Sequence, residues 1–536
     1  MIRRLVLIYP ASRRFSGFLS THRLPMLATA HAGLPILAEV MERHGVTTTV
    51  YDEQITPFCE EMVDGADLVG LSLQTSWAPQ GYRIARAVRR LGIPVVLGGV
   101  HATLNPDEAI QEADFVVRGE GEHTLPELVS ALDRGAGLDD VRGLSHWKDG
   151  EIRHNPPRPV LTTQELDEVP WPRLDRIEGF ADPSRHPLNR LIYFTMATRG
   201  CDQACRYCSI TRLFGRALRH RSVGSIIEEL GSRFDPGRQV LFFMDDSLAV
   251  DTAFLKELLE ALLREGLRPK HGWHAQMRAD VARDPELLRL MKATNCLFVT
   301  CGFESIDERS LKRLGKGQSP RDVERAIARL REHDVVVNGF FMFGTDDDGP
   351  EAMAQTVRFA RKSGCMLAGF MPVTPFPGTA TYEDLDRQGR IFTRDWELYD
   401  VQHVVFHPKK MTAFDLYWRT LASYPAFYGV VQPFRHLPEI LAKRPSAAIM
   451  AVGASWALAK HLYFSREVLA NLDYLRALRR MRREGDPFPD LDARGLWAKD
   501  LVSGRAVRAL RRRVVYRAPA PSRRAHDAAS RPVSPA

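Results

Sequence analysis

From residue 5 to residue 373 the chain alternates short β-branched apolar runs with helix-periodic ones, and it does so in two successive series. Such alternation buries parallel strands beneath crossover helices, which narrows the architecture to doubly wound sheets and β/α barrels. In the first series the strand signals are 5–9, 47–51, 68–73, 94–97 and 115–117, with helix signals at 34–44, 80–91 and 124–132. Five strands with interposed helices predict an α/β, doubly wound parallel sheet over residues 1–135, whose ligands lie beyond the carboxyl ends of its strands. Gly98, Gly99, Gly119 and Gly121 follow the fourth and fifth strands, where backbone turns tightly or approaches a ligand closely. The second series occupies 188–380, with strands at 191–197, 240–244, 271–275, 297–302, 335–343 and 367–373. Helix signals lie between them near 222–233, 253–264, 285–293, 320–333 and 350–363. Six strands and five intervening helices describe three-quarters of a β/α barrel, whose chemistry belongs at the carboxyl ends of the strands.

Residues 136–187 are rich in proline and charge and read as a linker between the two units. Past residue 380 the alternation stops. Segments 415–428, 446–464 and 466–483 carry helix patterns, giving a mainly helical region over 381–500, and 501–536 has the composition of a disordered tail. That tail holds nine arginines and one acid, Asp527, which is the whole of the net charge of +8. A basic tail on a neutral body does not read as a nucleic-acid binder, so no nucleic-acid partner is expected. The first ten residues lack a small-residue cleavage site and read as a strand, so a cytoplasmic protein is expected. The apolar run 447–459 is too short to span a bilayer and is followed by Lys460, His461 and the basic tail. Two readings stay open for it: a helix packed on the barrel, or a peripheral contact at the inner face of the membrane.

The chain has seven cysteines, an odd number that argues against a disulfide framework. Cys59, Cys296, Cys301 and Cys365 are scattered and read as small buried residues. The other three form Cys201-Asp-Gln-Ala-Cys205-Arg-Tyr-Cys208, directly after the first barrel strand. Three thiolates on one short loop can hold three irons of a four-iron cluster and leave the fourth open. Structural zinc is the competing reading, but zinc takes four ligands from paired CxxC units and no second pair occurs.

This loop and the barrel pattern behind it resemble the radical S-adenosylmethionine (SAM) superfamily, with Tyr207 as the aromatic residue before the last cysteine. The resemblance implies a [4Fe-4S] cluster on Cys201, Cys205 and Cys208 whose open iron chelates S-adenosylmethionine. One electron then breaks the bond from sulfur to the 5′ carbon and yields a 5′-deoxyadenosyl radical. It also implies an electron donor such as flavodoxin or ferredoxin. Asp245 and Asp246 follow the second barrel strand, Gln276 and Arg278 the third, Glu304 and Ser305 the fourth, and Gly344 the fifth. In similar proteins such strand ends contact S-adenosylmethionine, so Tyr207, Asp246, Gln276, Glu304 and Gly344 are the expected contacts, with caps and turns as their competing role. Pro375-Phe-Pro-Gly-Thr379 resembles the barrel exit of the same family.

The first domain narrows the class. Ala66-Asp-Leu-Val-Gly-Leu-Ser-Leu73, Leu97-Gly-Gly-Val-His-Ala102 and Val117-Arg-Gly-Glu-Gly-Glu122 are similar, in order and spacing, to the Rossmann-like cobalamin-binding domain of cobalamin-dependent radical methylases. By that resemblance Ser72, Gln74 and Thr75 lie under the corrin, while Gly98, Gly99, Gly119, Glu120 and Glu122 surround its nucleotide tail. No Asp-x-His-x-x-Gly occurs in the first 150 residues, so the usual histidine ligand to cobalt is missing. His101 is a weak substitute. The resemblance implies a C-methyltransferase acting on an unactivated carbon of a small molecule, a lipid or secondary metabolite. One S-adenosylmethionine methylates reduced cobalamin and a second supplies the radical. Ring closure or rearrangement without methyl transfer is the alternative, and a non-enzymatic cobalamin sensor the remotest one. The segment Trp396-Glu-Leu-Tyr-Asp400, with 403–408 and Met411, resembles the region after the barrel in radical enzymes that modify lipids and secondary metabolites.

Overall fold

The computed structural model describes residues 1–12, 31–182, 189–429, 471–484 and 487–489. The run 447–459 and the tail 501–536 lie outside them.

The amino-terminal sheet contains β1 (Arg4–Tyr9), β2 (Thr47–Asp52), β3 (Leu68–Ser72), β4 (Val95–Gly98), β5 (Phe115–Val117), β6 (Leu144–Lys148) and β7 (Glu151–His154), in the order β2-β1-β3-β4-β5-β6-β7. The first five are parallel, as the alternation requires. Both faces of β1 are covered. Leu5, Leu7 and Tyr9 pack with Leu34, Ala38 and Met41 of the helix Gly33–Arg43, while Val6 and Ile8 pack with Ile84, Ala85 and Val88 of the helix Ala78–Arg90. Burial on both sides explains why the strand reads as an unbroken apolar run.

The expected linker is not one. β6 and β7 form a hairpin that adds antiparallel to β5, with Phe115 opposite His146. Leu174, Ile177 and Phe180 belong to the same buried core as β1. The hairpin turns through Asp149 and Gly150, both with positive φ (51° and 81°). Asp-Gly is a strong signal for such a turn.

The second sheet orders β8 (Ile192–Thr195), β11 (Val240–Phe243), β12 (Trp273–Met277), β13 (Cys296–Glu304), β14 (Val336–Phe343) and β15 (Leu367–Pro372) sequentially and wholly parallel. A short antiparallel pair, β9 (Thr198–Arg199) with β10 (Arg219–His220), lies between β8 and β11 in the chain. The helices Val223–Arg233, Thr252–Arg264, Pro285–Ala293, Pro320–Glu332 and Pro350–Ser363 alternate with the strands. Side-chain caps at Ser222, Asp251, Asp284 and Ser319 start four of them. The sheet stays open, and the helix Ala413–Tyr428 deals with the edge this leaves on β15. The Tyr428 hydroxyl accepts from Ala368 N (3.0 Å) and donates to Ala368 O (2.9 Å), and Tyr424 does the same at Phe370 (3.2 and 2.8 Å).

Candidate active site

The three cysteines stand on the loop between β9 and β10. Arg199 and Arg219 are register partners at its base. Gly200 has φ +81°, and a Cβ there would lie 2.3 Å from Ala217 O, so only glycine allows the loop to leave β9 as it does. All three thiols are free and half-buried. Burial pushes the Cys208 thiol up to about 11 and raises Cys201 as well, so a bound cation beside them would favour the thiolates. Three thiols on one loop with no second CxxC pair fit a four-iron cluster with one open iron better than zinc, which takes four ligands.

The adjacent acids after β11 have different tasks. Asp245 is buried and accepts hydrogen bonds from Ala197 N (3.1 Å) and Thr198 N, so it braces the start of the cluster loop. Asp246 is exposed at the barrel mouth, yet it is walled in closely enough that desolvation pushes its carboxyl up to about 6. Gly200 donates a backbone hydrogen bond to it, so it stands beside the cysteine loop, suited to the amino group of a bound S-adenosylmethionine.

Glu304 ends β13 with φ +61°, in the left-handed region and just past a bulge at Gly302. Side-chain-bearing residues hold such a backbone only where surrounding contacts impose it. Those contacts are the Tyr207 hydroxyl, which donates to Glu304 Oε1 (2.9 Å), and Lys316 Nζ (3.0 Å). Lys316 also reaches the Tyr207 oxygen at 3.2 Å. A Cβ at Gly302 would lie 2.4 Å from Glu304 Oε1, so this glycine keeps the carboxylate's place open. The sequence reading missed Lys316, whose signal is a lone Lys-Gly after the helix Glu308–Leu314. Arg278 Nη2 donates to Lys316 O (2.9 Å), which ties the end of β12 to the loop that carries Lys316. Gln276 is exposed one residue before the carboxyl end of β12, level with Thr300. Gly344 directly follows β14. Its φ is +99° and a Cβ would lie 2.6 Å from Leu416, so close packing against the helix Ala413–Tyr428 accounts for it.

In the first domain the ends of β3 and β4 meet. Leu73 N donates to Gly98 O (2.8 Å) and His101 N to Leu73 O (3.0 Å). Gly99 has φ +86°, and a Cβ there would lie 2.7 Å from Leu73 N and 2.9 Å from Ser72 Oγ. Ser72, Gln74 and Thr75 are thereby brought to the Gly98–Gly99 turn, with Gln74 exposed. Gly119 N donates to Thr103 Oγ1 (3.0 Å). The chain order reverses between β1 and β3, where doubly wound sheets bind ligands. At that point His31, also missed in the sequence, stacks edgewise on Trp77 with centroids 4.9 Å apart. Its Nε2 is buried and has no hydrogen-bond partner among the described residues. A buried imidazole without a described partner, between Tyr9 at the end of β1 and Trp77 after β3, fits a polar cofactor seated over these strand ends.

His101 is no substitute ligand to cobalt. It is fully buried, with Nε2 at 3.1 Å from the Tyr82 hydroxyl and Nδ1 at 3.3 Å from Asn105 Nδ2. Glu120 and Glu122 flank the start of the helix Gly121–Arg134. Their carboxylates form ion pairs with Arg199 (2.9 and 2.7 Å), and Glu120 binds Arg219 as well (2.8 Å). Trp396 is an anchor between domains, its Nε1 donating to the Glu108 carboxylate at 2.9 Å.

Comparison with known proteins matches residues 195–360 to the radical SAM superfamily and residues 28–129 to the B12 binding domain. The chain is 30% identical over 369 residues to an uncharacterized methyltransferase, PH0819, of Pyrococcus horikoshii, covering 68% of this chain and 78% of that one. It is 29% identical over 369 residues to the bacteriochlorophyllide d C-12(1)-methyltransferase of Chlorobaculum tepidum, covering 68% and 75%. Among solved structures, the radical S-adenosylmethionine methyltransferase TsrM from Kitasatospora setae, with cobalamin and a [4Fe-4S] cluster bound, superposes with a TM-score of 0.61. That match has 19% identity and covers 72% of this chain and 75% of that one.

Proposed function

Because the chain belongs to the radical S-adenosylmethionine superfamily and carries the B12-binding domain of its cobalamin-dependent members, we propose that it is a C-methyltransferase acting on an unactivated carbon of a lipid or secondary metabolite. The observation that supports this reading is one set of side chains that joins the B12-binding domain to the cysteine loop. The turn after β5 belongs to the B12-binding domain, and its Glu120 grips the arginines at the base of the cysteine loop.

When bound, the cluster supplies the electron that cleaves S-adenosylmethionine and cobalamin supplies the methyl carrier. The protein's part is to bind, orient and exclude water. Cys201, Cys205 and Cys208 hold the cluster. The Asp246 carboxylate, ionised above about pH 6, accepts the amino group of S-adenosylmethionine. Glu304, fixed by Tyr207 and Lys316, presents its second oxygen to the ribose hydroxyls, and Gln276 offers an amide from near the carboxyl end of β12. Ser72, Gln74 and Thr75 lie under the corrin, with Gly98 and Gly99 beside its nucleotide tail. The electron comes from a small redox protein of the flavodoxin or ferredoxin type.

Reconstituted protein given cobalamin, reductant and S-adenosylmethionine is expected to form both S-adenosylhomocysteine, from methyl transfer, and 5′-deoxyadenosine, from radical cleavage. A protein that forms neither is a cobalamin sensor. One that forms only 5′-deoxyadenosine belongs with the ring-forming enzymes.

A further inference from the structure

Glu120, Glu122, Arg199 and Arg219 make a four-charge cluster that neither cofactor accounts for. All four side chains are 10% exposed or less, and the ion-pair distances run from 2.7 to 2.9 Å. Leu161 completes it, its N–H donating to Glu120 Oε2 (2.7 Å) and its carbonyl accepting from Arg219 Nη1 (3.0 Å). Burying four charges costs more desolvation than apolar side chains of the same volume would, so stability alone does not explain the choice. Ion pairs of this kind add direction: each fixes one atom against another across the boundary between domains.

The placement gives that direction a use. Arg199 stands two residues before Cys201, and Arg219 faces it across the base of the loop. Asp245 holds the preceding residues, Ala197 and Thr198, to the end of β11. The cysteine loop is therefore pinned on its barrel side by one carboxylate and on its cobalamin-domain side by two. Glu120 and Glu122 flank Gly121, which opens the helix Gly121–Arg134, and Gly119 just before them is tied to Thr103 in the helix that follows Gly98–Gly99. One turn thus connects the corrin-facing strand ends to the cluster loop.

We propose that Glu120, Glu122, Arg199 and Arg219 form a clamp that sets the distance and orientation of the cluster loop relative to the corrin, acting as positioning residues for methyl transfer. The proposal rests on the methyltransferase reading above. S-adenosylmethionine has two fates at this site. In substitution the methyl carbon leaves the sulfonium sulfur, which keeps the bonding pair and becomes S-adenosylhomocysteine, while reduced cobalt supplies the pair for the new bond. In reductive cleavage the cluster electron breaks the bond to the 5′ carbon. Only the first requires the corrin in line with the sulfur–methyl bond, and such alignment is lost steeply with displacement. Loosening the clamp therefore starves substitution and spares cleavage, a change of partition that general destabilisation does not produce.

The test uses full-length protein reconstituted with iron, sulfide and hydroxocobalamin, comparing the parent with Glu120→Gln and Arg219→Met. Glu120→Gln keeps the shape and removes one charge, and Arg219→Met nearly conserves volume, so one can stand if the other fails to accumulate. Pulsed electron paramagnetic resonance between the reduced cluster and cob(II)alamin is expected to give one narrow distance in the parent and a longer or broader one in the variants. The ratio of S-adenosylhomocysteine to 5′-deoxyadenosine is expected to fall about tenfold or more, with iron and cobalamin contents unchanged. Parent-like distance and ratio in the variants would overturn the clamp. A parent that makes 5′-deoxyadenosine but no S-adenosylhomocysteine removes the methyltransferase reading instead, and the distance measurement then judges the clamp alone.

Discussion

Replacing Lys316 by Met removes the cation from the Glu304–Tyr207 group and leaves a carboxylate with little water to turn to. Lys316 Nζ lies 3.0 Å from Glu304 Oε1, and both side chains are 8% exposed. An exposed pair of this geometry is worth about 0–1 kcal/mol. Breaking a buried pair by removing one partner costs about 3–5 kcal/mol, because the remaining charge stays desolvated. Glu304 keeps its hydrogen bond from Tyr207 at 2.9 Å, so the lower end, about 3 kcal/mol, is expected. Adding Glu304→Gln to Lys316→Met removes the stranded charge and is expected to recover about 1.5 kcal/mol or more. The assay is urea unfolding of the reconstituted protein followed by circular dichroism, comparing parent, both single variants and the double variant at constant slope. A Lys316→Met cost under about 1 kcal/mol, or strictly additive singles, would refute the buried pair.

Cys205→Ala is expected to lower bound iron from about four per chain, the content of one [4Fe-4S] cluster, and to abolish 5′-deoxyadenosine formation; chromatographic detection of normal cleavage would contradict it. Asp246 carries a carboxyl raised to about 6 by desolvation, so it is neutral below that pH and loses its attraction for an ammonium group as pH falls through 6. S-adenosylmethionine affinity of the reconstituted protein, measured by equilibrium binding, is expected to fall across that range, and Asp246→Asn to flatten the profile. For the basic tail, low-salt sedimentation with anionic liposomes is expected if the tail recruits the enzyme to membranes. Truncation after Leu501 abolishes it and added salt weakens it; a parent protein left in the supernatant at low salt refutes recruitment.

The sequence made strands and their ends legible because that signal is local. Each barrel strand falls within its expected run or extends it by a residue or two, and the cysteine loop follows the first of them. Where side chains point was less legible. Asp245 and Asp246 are adjacent and chemically identical, yet past the end of β11 one is buried against Ala197 and Thr198 and the other is exposed. Glu120 and Glu122 sit in a turn that reads as a ligand loop, but their partners, Arg199 and Arg219, lie nearly 80 and 100 residues further on. Lys316 and His31 are likewise single residues whose setting exists only after folding. The hairpin β6–β7 is obscure in the sequence for a different reason: surrounding proline and charge mask its Asp149-Gly150 turn, a local signal. Among the described residues no helix is long and apolar enough to cross a membrane.

The most direct test of the central claim is isotopic. Cells with and without the intact gene are grown on methionine carrying a trideuterated methyl group, and their lipids and metabolites are compared by mass spectrometry. The account predicts a gene-dependent compound that carries the intact trideuterated methyl group on carbon, together with an unmethylated precursor that accumulates when the gene is absent. A gene-dependent compound without the label, differing from its precursor by loss of hydrogen or by rearrangement, would contradict it.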